Sequence, residues 1–169
     1  ELLKSNDKVT VEISPTLASI PSYTKLGMSN LLPNKGMTVQ PNSAGTDLEF
    51  SINGVSTEGS KNRLQILRQA NPEANVEAYD TIIKLNQEQG RATFKAHPLT
   101  YIYHNKIDTI ADNVKSESNT FQAVEQTIAD LKKLIGKLRD SWNVYYIYII
   151  SDHGFLYNHQ TISEASKEE

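Results

Sequence analysis

One continuous stretch decides the fold of this chain: Tyr145-Tyr146-Ile147-Tyr148-Ile149-Ile150-Ser151-Asp152-His153-Gly154-Phe155. The residues up to Ile150 are all aromatic or β-branched, which favours a strand. They do not alternate with polar residues, so the pattern predicts a strand covered on both faces, as in a parallel sheet flanked by helices. A serine, an aspartate, a histidine and a glycine follow directly, where ligands commonly bind in open α/β sheets.

The corner formed by Asp152, His153 and Gly154 has the chemistry of a metal site. Carboxylate and imidazole are both metal ligands, and a glycine permits the sharp turn that lets neighbouring side chains reach one ion. The corner alone leaves a second interpretation equally open, in which Asp152 caps the next segment and His153 is an ordinary loop histidine.

The composition narrows the function classes. The chain has 169 residues, which suits one domain with a single core. Its formal net charge of -3 gives no global basic field that would attract nucleic acid. The absence of cysteine excludes a disulfide framework and a thiolate nucleophile, in keeping with a cytoplasmic location. No apolar run is long enough to cross a bilayer, so we expect no membrane partner.

A second strand is predicted over Leu99–Tyr103, and candidate metal ligands follow it. His104 comes directly after the strand, and Asp108 lies four positions later. Two ligands at this spacing lie close together when the intervening turn is helical. The alternative is a capped loop with one buried histidine.

A long amphipathic helix is predicted between the two strands. Apolar residues recur at three- and four-residue spacing from Phe121 to Leu138, which is typical of a helix that packs on a core. Strand, helix and strand would form a right-handed crossover unit. That unit would bring His104 and Asp152 to the same edge of one parallel sheet.

A third candidate is Thr24, at the start of a helix predicted over Lys25–Leu32. Free amide groups and the positive end of the helix dipole favour an anion there, either an alkoxide or a bound phosphate. The residues alone favour a simpler interpretation, in which Ser22 or Thr24 is an N-cap.

The remaining elements are predicted from local pattern. Asp47 and Glu49 are expected to be solvent-facing charges. The predicted elements are a short strand over Val9–Ile13, a strand over Leu48–Ile52 that turns at Asn53-Gly54 into a hairpin with Val55–Thr57, a helix over about Lys61–Gln69, and a mostly helical segment over Val76–Ala96 that Gly90 interrupts.

Three blocks of this sequence together resemble the PglZ domain of the alkaline phosphatase superfamily. The blocks are Pro21-Ser22-Tyr23-Thr24-Lys25-Leu26-Gly27-Met28 with Leu31-Leu32-Pro33, Tyr101-Ile102-Tyr103-His104-Asn105-Lys106-Ile107-Asp108, and the strand that ends in Ser151-Asp152-His153-Gly154. Their order and rough spacing match as well. The likeness is greatest to the PglZ proteins of bacterial BREX phage-exclusion systems. The resemblance implies an α/β fold with a mostly parallel sheet flanked by helices.

The resemblance also implies a chemistry, which is metal-dependent hydrolysis of a phosphate ester. Thr24 matches the position of the family's covalent nucleophile. Asp152 and His153 would hold the ion beside it, and His104 and Asp108 would hold a second. Two divalent ions are expected, with zinc suited to mixed imidazole and carboxylate ligands and manganese also compatible.

The chain departs from the family at its start. PglZ domains begin with a strand whose aspartate is a further metal ligand, and this chain starts after it. A downstream histidine ligand has no clear match, with His159 as a candidate, and Asp112 is a weaker candidate ligand. We therefore interpret residues 1–158 as a partial PglZ domain and residues 159–169 as a polar tail. Loss of the strand would leave the 145–150 run unpaired on one side and would expose a sheet edge through which copies could associate.

Three functions remain open from the sequence. The first is a fragment, itself lacking full activity, of a metal-dependent phosphatase or phosphodiesterase that works with other phage-defence proteins. The second is a non-catalytic binding or assembly module of a phage-defence complex. The third is a phosphodiesterase that acts on a nucleotide or oligonucleotide substrate in signalling.

Overall fold

A computed structural model describes residues 9–111 and 120–154. None of the helices in this part of the chain is long and apolar enough to cross a membrane. The elements are α1 (Thr24–Asn30), β1 (Thr38–Pro41), β2 (Leu48–Ile52), β3 (Val55–Ser56), α2 (Ser60–Ala70), β4 (Asn75–Ala78), α3 (Tyr79–Ile82), α4 (Gln87–Ala96), β5 (Thr100–Tyr103), α5 (Lys106–Ala111) and α6 (Thr120–Gly136), and a π-helical turn, Lys137–Ser141, follows α6.

An antiparallel sheet forms in the first half of the chain, with strand order β1-β2-β3. β2 and β3 meet in a two-residue turn at Asn53 (φ 50°) and Gly54 (φ 77°), and Ile52 pairs with Val55 across it. Two consecutive positive φ angles give the backbone twist that tight hairpins require. The predicted strand and its hairpin partner are confirmed. β1, which pairs with the other edge of β2, was not predicted.

The first core lies between this sheet and α2. The helix predicted over about 61–69 is observed as Ser60–Ala70. Its buried face carries Ile66 and Leu67, which join a cluster with Leu32, Ile52 and Ala74. Burial of these side chains holds the hairpin, α2 and the end of α1 together.

A parallel pair of strands, β4 and β5, forms a second sheet, with Val76 opposite Tyr101. β5 confirms the predicted strand that leads to His104. β4 corrects the prediction of a mostly helical segment from residue 76, because the spacing of apolar residues cannot reveal a strand partner 25 positions away. Gly90 lies within α4 and does not interrupt it. The indole ring of Trp142 packs directly on the Gly90 Cα, where a side chain would not fit.

The second core lies under α6. Leu134 and Leu138 pack with Tyr79, Ile82 and Trp142. The predicted helix is confirmed. The prediction that its whole apolar stripe packs in the core is not, because only part of the stripe is buried. Its N-terminal apolar side chains are partly exposed, at 42% for Phe121 and 46% for Ile128.

The run from Tyr145 to Ile150 forms no strand in the described chain, which corrects the central prediction of the sequence analysis. β5 pairs in parallel with β4 and not with this run, so the expected crossover unit and mostly parallel sheet are absent from residues 9–111 and 120–154. The side chains of Tyr145, Tyr146 and Tyr148 are more than 80% exposed. The residue types of this run favour a covered strand. A strand also needs a backbone partner, and no described segment pairs with residues 145–150.

The predicted strand over Val9–Ile13 is also absent, and Ile13 is 90% exposed. Asp112, His159 and the predicted boundary between residues 158 and 159 lie outside the described residues.

Candidate active site

Helix α1 is attached to the antiparallel sheet through a buried polar link. The hydroxyl of Ser29 lies 2.6 Å from that of Thr57, and Thr57 Oγ1 lies 3.2 Å from the carbonyl oxygen of Phe50 in β2. The ring of Tyr23 also contacts the ring of Phe50, with centroids 6.1 Å apart. The sheet therefore serves as the platform on which the start of α1 rests.

Thr24 is the first residue of α1, as predicted. The N-cap is Tyr23, which makes no capping hydrogen bond through its side chain, so neither Ser22 nor Thr24 is the cap. The Thr24 hydroxyl instead lies 2.9 Å from Nε2 of His153. The structure thus brings the predicted nucleophile to one of the predicted metal ligands, 129 positions away in the sequence.

Gly27 makes this approach possible. It lies one turn after Thr24 on α1, and the backbone of Asp152 rests directly on its Cα. A Cβ atom at position 27 would lie only 2.5 Å from the Asp152 carbonyl oxygen. Only glycine lets the 152–153 corner sit this close to the helix. A glycine inside a predicted helix is the signal that could have indicated this contact from sequence.

One hydrogen bond orients the ring of His153, and another holds its backbone. Nδ1 lies 2.8 Å from the carbonyl oxygen of Gly154, and Ser151 Oγ donates to the carbonyl oxygen of His153 itself. A carbonyl only accepts, so Nδ1 carries the hydrogen. In the neutral ring Nε2 then has the free lone pair, and the Thr24 hydroxyl donates to it.

The carboxylate of Asp152 completes this cluster. Its Oδ2 lies 3.5 Å from Nε2 of His153. That oxygen is buried and has no hydrogen-bond partner. A buried carboxylate oxygen without a partner is costly, and such groups commonly mark a position that a cation or a water occupies.

These donor atoms fit a divalent metal ion. Ligands arranged tetrahedrally around zinc at ~2.1 Å lie about 3.4 Å from one another. The His153–Asp152 separation of 3.5 Å matches this spacing, and Thr24 Oγ1 lies 2.9 Å from the same nitrogen. A cation bound here would take the Nε2 lone pair in place of the Thr24 hydroxyl hydrogen, and it would also contact the unpartnered oxygen of Asp152.

His104 lies at the carboxyl end of β5, in a different set of contacts. Its Nε2 lies 3.2 Å from Oδ2 of Asp130 in α6, and its ring stands edge-on to Tyr79, with centroids 4.7 Å apart. Lys106 donates to the same Asp130 oxygen. The Lys106 ammonium holds the pKa of Asp130 below its usual range, and burial, with the Asp130 carboxylate beside it, raises the pKa of Tyr79.

The family model for the BREX system PglZ alkaline phosphatase-like domain matches residues 1–169. The chain belongs to the PglZ family. It is 33% identical over 166 residues to the alkaline phosphatase-like protein PglZ of Bacillus cereus (strain H3081.97), and 32% identical over 165 residues to the alkaline phosphatase-like protein BrxZ of Escherichia coli O9:H4 (strain HS).

Each of these alignments covers 98% of this chain but only 19% and 18% of the respective relatives. The chain thus spans about a fifth of the length of the curated PglZ-family relatives that it matches. No solved structure gives a significant match to it.

The four metal ligands expected of this PglZ domain occupy two groups of contacts. Asp152 and His153 lie beside Thr24, whereas His104 is paired with Asp130 and Asp108 lies in the first turn of α5. Within residues 9–111 and 120–154, no group of three or more His, Asp and Glu residues is arranged to hold a metal ion. The two-ion site stays a prediction. Asp130 was missed because an acidic residue within an amphipathic helix gives no local signal of a contact with His104.

Proposed function

We propose that this PglZ domain belongs to a metal-dependent phosphoric ester hydrolase of bacterial phage defence, with Thr24 as its nucleophile. The observation that carries the proposal is the cluster of Thr24, His153 and Asp152. In it a hydroxyl lies 2.9 Å from a histidine nitrogen, next to a buried carboxylate oxygen that lacks a partner. Membership in a family described as alkaline phosphatase-like supports the same chemistry.

Four side chains would hold the ions. Asp152 and His153 would hold one beside Thr24, and His104 and Asp108 would hold the second, with zinc or manganese matching the ligand types. Bound divalent ions would favour the ionised form of the attacking hydroxyl and offset the charge that develops on the transferring phosphoryl group.

The residues of this chain orient the attack. The Gly154 carbonyl fixes the ring of His153, which places Nε2 2.9 Å from Thr24 Oγ1, so that a cation held by this nitrogen would also lie beside the attacking oxygen. Thr24 Oγ1 loses its proton and forms a bond to phosphorus, while the bond to the leaving alkoxide breaks and the alkoxide takes up a proton to leave as the alcohol. Water then attacks the phosphothreonine, which releases the phosphate product and restores the Thr24 hydroxyl. Contact at Gly27 keeps the histidine beside the nucleophile through both steps.

The proposal extends to the substrate and the setting of the whole protein. The substrate would be a phosphate ester, with a nucleotide or an oligonucleotide as the form relevant to phage defence. Other proteins of the defence system would be the partners, in the cytoplasm. The names of the two relatives, both described as alkaline phosphatase-like, support a phosphate ester as the class of substrate.

The test replaces Thr24 in the full-length protein. Hydrolysis of p-nitrophenyl phosphate and bis(p-nitrophenyl) phosphate is measured with zinc or manganese, together with the melting temperature. We expect Thr24→Ala to abolish hydrolysis without changing the melting temperature, and Thr24→Ser to keep partial activity because it keeps the hydroxyl. Ser22→Ala, two residues before Thr24 and outside α1, is the matched control and should behave as wild type. Turnover by Thr24→Ala with an unchanged melting temperature would rule out Thr24 as the nucleophile.

A further inference from the structure

The carboxylate of Asp47 contacts both neighbours of Thr24. Its Oδ1 accepts a hydrogen bond from the hydroxyl of Tyr23 at 2.5 Å. Its Oδ2 accepts one from the ammonium group of Lys25 at 2.5 Å. The Asp47 side chain remains 39% exposed, as expected of a solvent-facing charge, and it also accepts hydrogen bonds from these two residues.

These two bonds close a ring around the nucleophile. Tyr23 is the extended N-cap residue (φ -140°, ψ 123°) and Lys25 lies in the first turn of α1, so the backbone of Thr24 is the link between them. With both flanking side chains held by one carboxylate, the Thr24 backbone is restrained on each side. Its hydroxyl lies 2.9 Å from the His153 nitrogen.

Asp47 is itself held in place. The side chain of Asn42 accepts hydrogen bonds from the backbone N–H groups of Thr46 and Asp47, and the backbone N–H of Asn42 donates to the Asp47 carbonyl at 2.8 Å. The N–H of Leu48, the first residue of β2, donates to Asp47 Oδ1 at 2.8 Å. The carboxylate thus projects from an ordered turn of the sheet, and not from a free loop.

The shifted pKa values of Asp47 and Lys25 are consistent with their close contact. The Lys25 ammonium, and after it the Tyr23 hydroxyl, lower the pKa of Asp47 to about 2. Asp47 and Glu58 both raise the pKa of Lys25. The two charges of the ring therefore persist through the whole range of pH in which an ester hydrolase works.

We propose that Asp47 is a positioning residue for Thr24, acting through its bonds to Tyr23 and Lys25. The inference rests on the proposed function and adds to it a residue outside the nucleophile and the metal ligands. Asp47 does not touch the reacting atoms; it sets the direction of the attacking hydroxyl.

Glu58 provides a matched control within the same ion-pair group. Its carboxylate lies 2.7 Å from the Lys25 ammonium, close to the distance at Asp47. It is part of no such ring, because Tyr23 donates its hydroxyl hydrogen to Asp47. Asp47→Asn and Glu58→Gln each remove one negative charge beside Lys25, and only the first opens the ring around Thr24.

The experiment is pre-steady-state hydrolysis of excess bis(p-nitrophenyl) phosphate by the full-length protein, with the active fraction counted from the burst amplitude. We expect Asp47→Asn to lower the rate constant per active site by about 10- to 100-fold, since misplacement by ~1 Å can cost ~100-fold. Glu58→Gln should lower it less than about fivefold, as an exposed ion pair contributes little. KM and melting temperature should stay unchanged, because the loss concerns orientation in the transition state. Tyr23→Phe, which removes one arm of the ring, should fall between the two.

Several results would overturn the inference. Equal effects of Asp47→Asn and Glu58→Gln would show that charge beside Lys25 is what counts. A lower burst amplitude with an unchanged rate constant would show a folding defect. A wild-type protein without turnover would overturn the proposed function and this inference with it, whereas an active wild type with an equally active Asp47→Asn would overturn only the inference.

Discussion

Gly27→Ala is expected to separate the two halves of the candidate active site. The added methyl group would lie 2.5 Å from the Asp152 carbonyl oxygen and 3.1 Å from Asp152 Cβ, whereas ordinary contact begins at 3.4 Å. The difference, 3.4 minus 2.5, requires the corner to retreat by about 0.9 Å. Both the carbonyl and α1 are backbone, so no flexible side chain can absorb the displacement.

That displacement is large enough to break the contact between Thr24 and His153. Their separation would increase from 2.9 Å to beyond the ~3.5 Å limit of a hydrogen bond if the whole retreat were along their axis. A misplacement of ~1 Å can cost ~100-fold in rate, or about 2.7 kcal/mol in transition-state stabilisation. The fold should suffer much less, because alanine stabilises a helix by ~1 kcal/mol relative to glycine and offsets part of an overpacking cost of ~1–3 kcal/mol.

The assay compares kcat/KM for p-nitrophenyl phosphate with the melting temperature in the full-length protein. The matched control is Gly136→Ala, at the end of α6, where a Cβ meets nothing within 4 Å. The control should gain ~1 kcal/mol of stability or less and keep wild-type turnover. If Gly27→Ala were as active as Gly136→Ala, the contact between α1 and the Asp152 backbone would have no part in catalysis.

Two further predictions concern stability and pH. Gly90→Ala should destabilise the fold by ~1–3 kcal/mol in thermal unfolding, because its methyl group would overlap the indole ring of Trp142; an unchanged melting temperature would contradict that packing. The folded pKa of Asp47, about 2, lies below the ordinary value of 3.8, so its stabilising contribution is present above pH ~4 and is lost as the pH falls toward 2. A carbon-13 titration of the carboxyl group should show this low pKa, and Lys25→Met should raise it; titration near 3.8 in the unmodified chain would refute the ring of contacts.

The elements that the sequence predicts correctly are those with local causes. The hairpin at Asn53-Gly54 needs two positive φ angles in adjacent residues, and that dipeptide is well suited to supply them. α2 and α6 follow from apolar spacing along a single helix. The position of Thr24 at a helix start follows from the same local pattern.

The misassigned elements depend on partners distant in the chain. β4 exists because β5 pairs with it, and a helical pattern of apolar residues at 76–83 conceals that pairing. The bond between His104 and Asp130 joins a strand end to the middle of α6, across 26 positions. Gly27 and Asp47 orient the site through backbone and side-chain contacts that no spacing rule encodes. The sequence pattern therefore identifies candidate site residues more readily than the residues that hold them in place.

The position of the Asp152–His153 corner has a physical consequence for the site. The 145–150 run that leads to it has no ladder partner in the described chain, and residues on both of its faces, such as Tyr145 and Tyr146, are exposed. Hydrogen bonds of a sheet therefore do not fix the corner. The contact between Gly27 and the Asp152 backbone, which does not involve the Thr24 hydroxyl, holds it instead. Since Asp47 holds only the Thr24 side, the two halves of the site should respond independently. Asp47→Asn should misdirect the hydroxyl and leave the corner in place, whereas Gly27→Ala should move the corner and leave the hydroxyl directed as before.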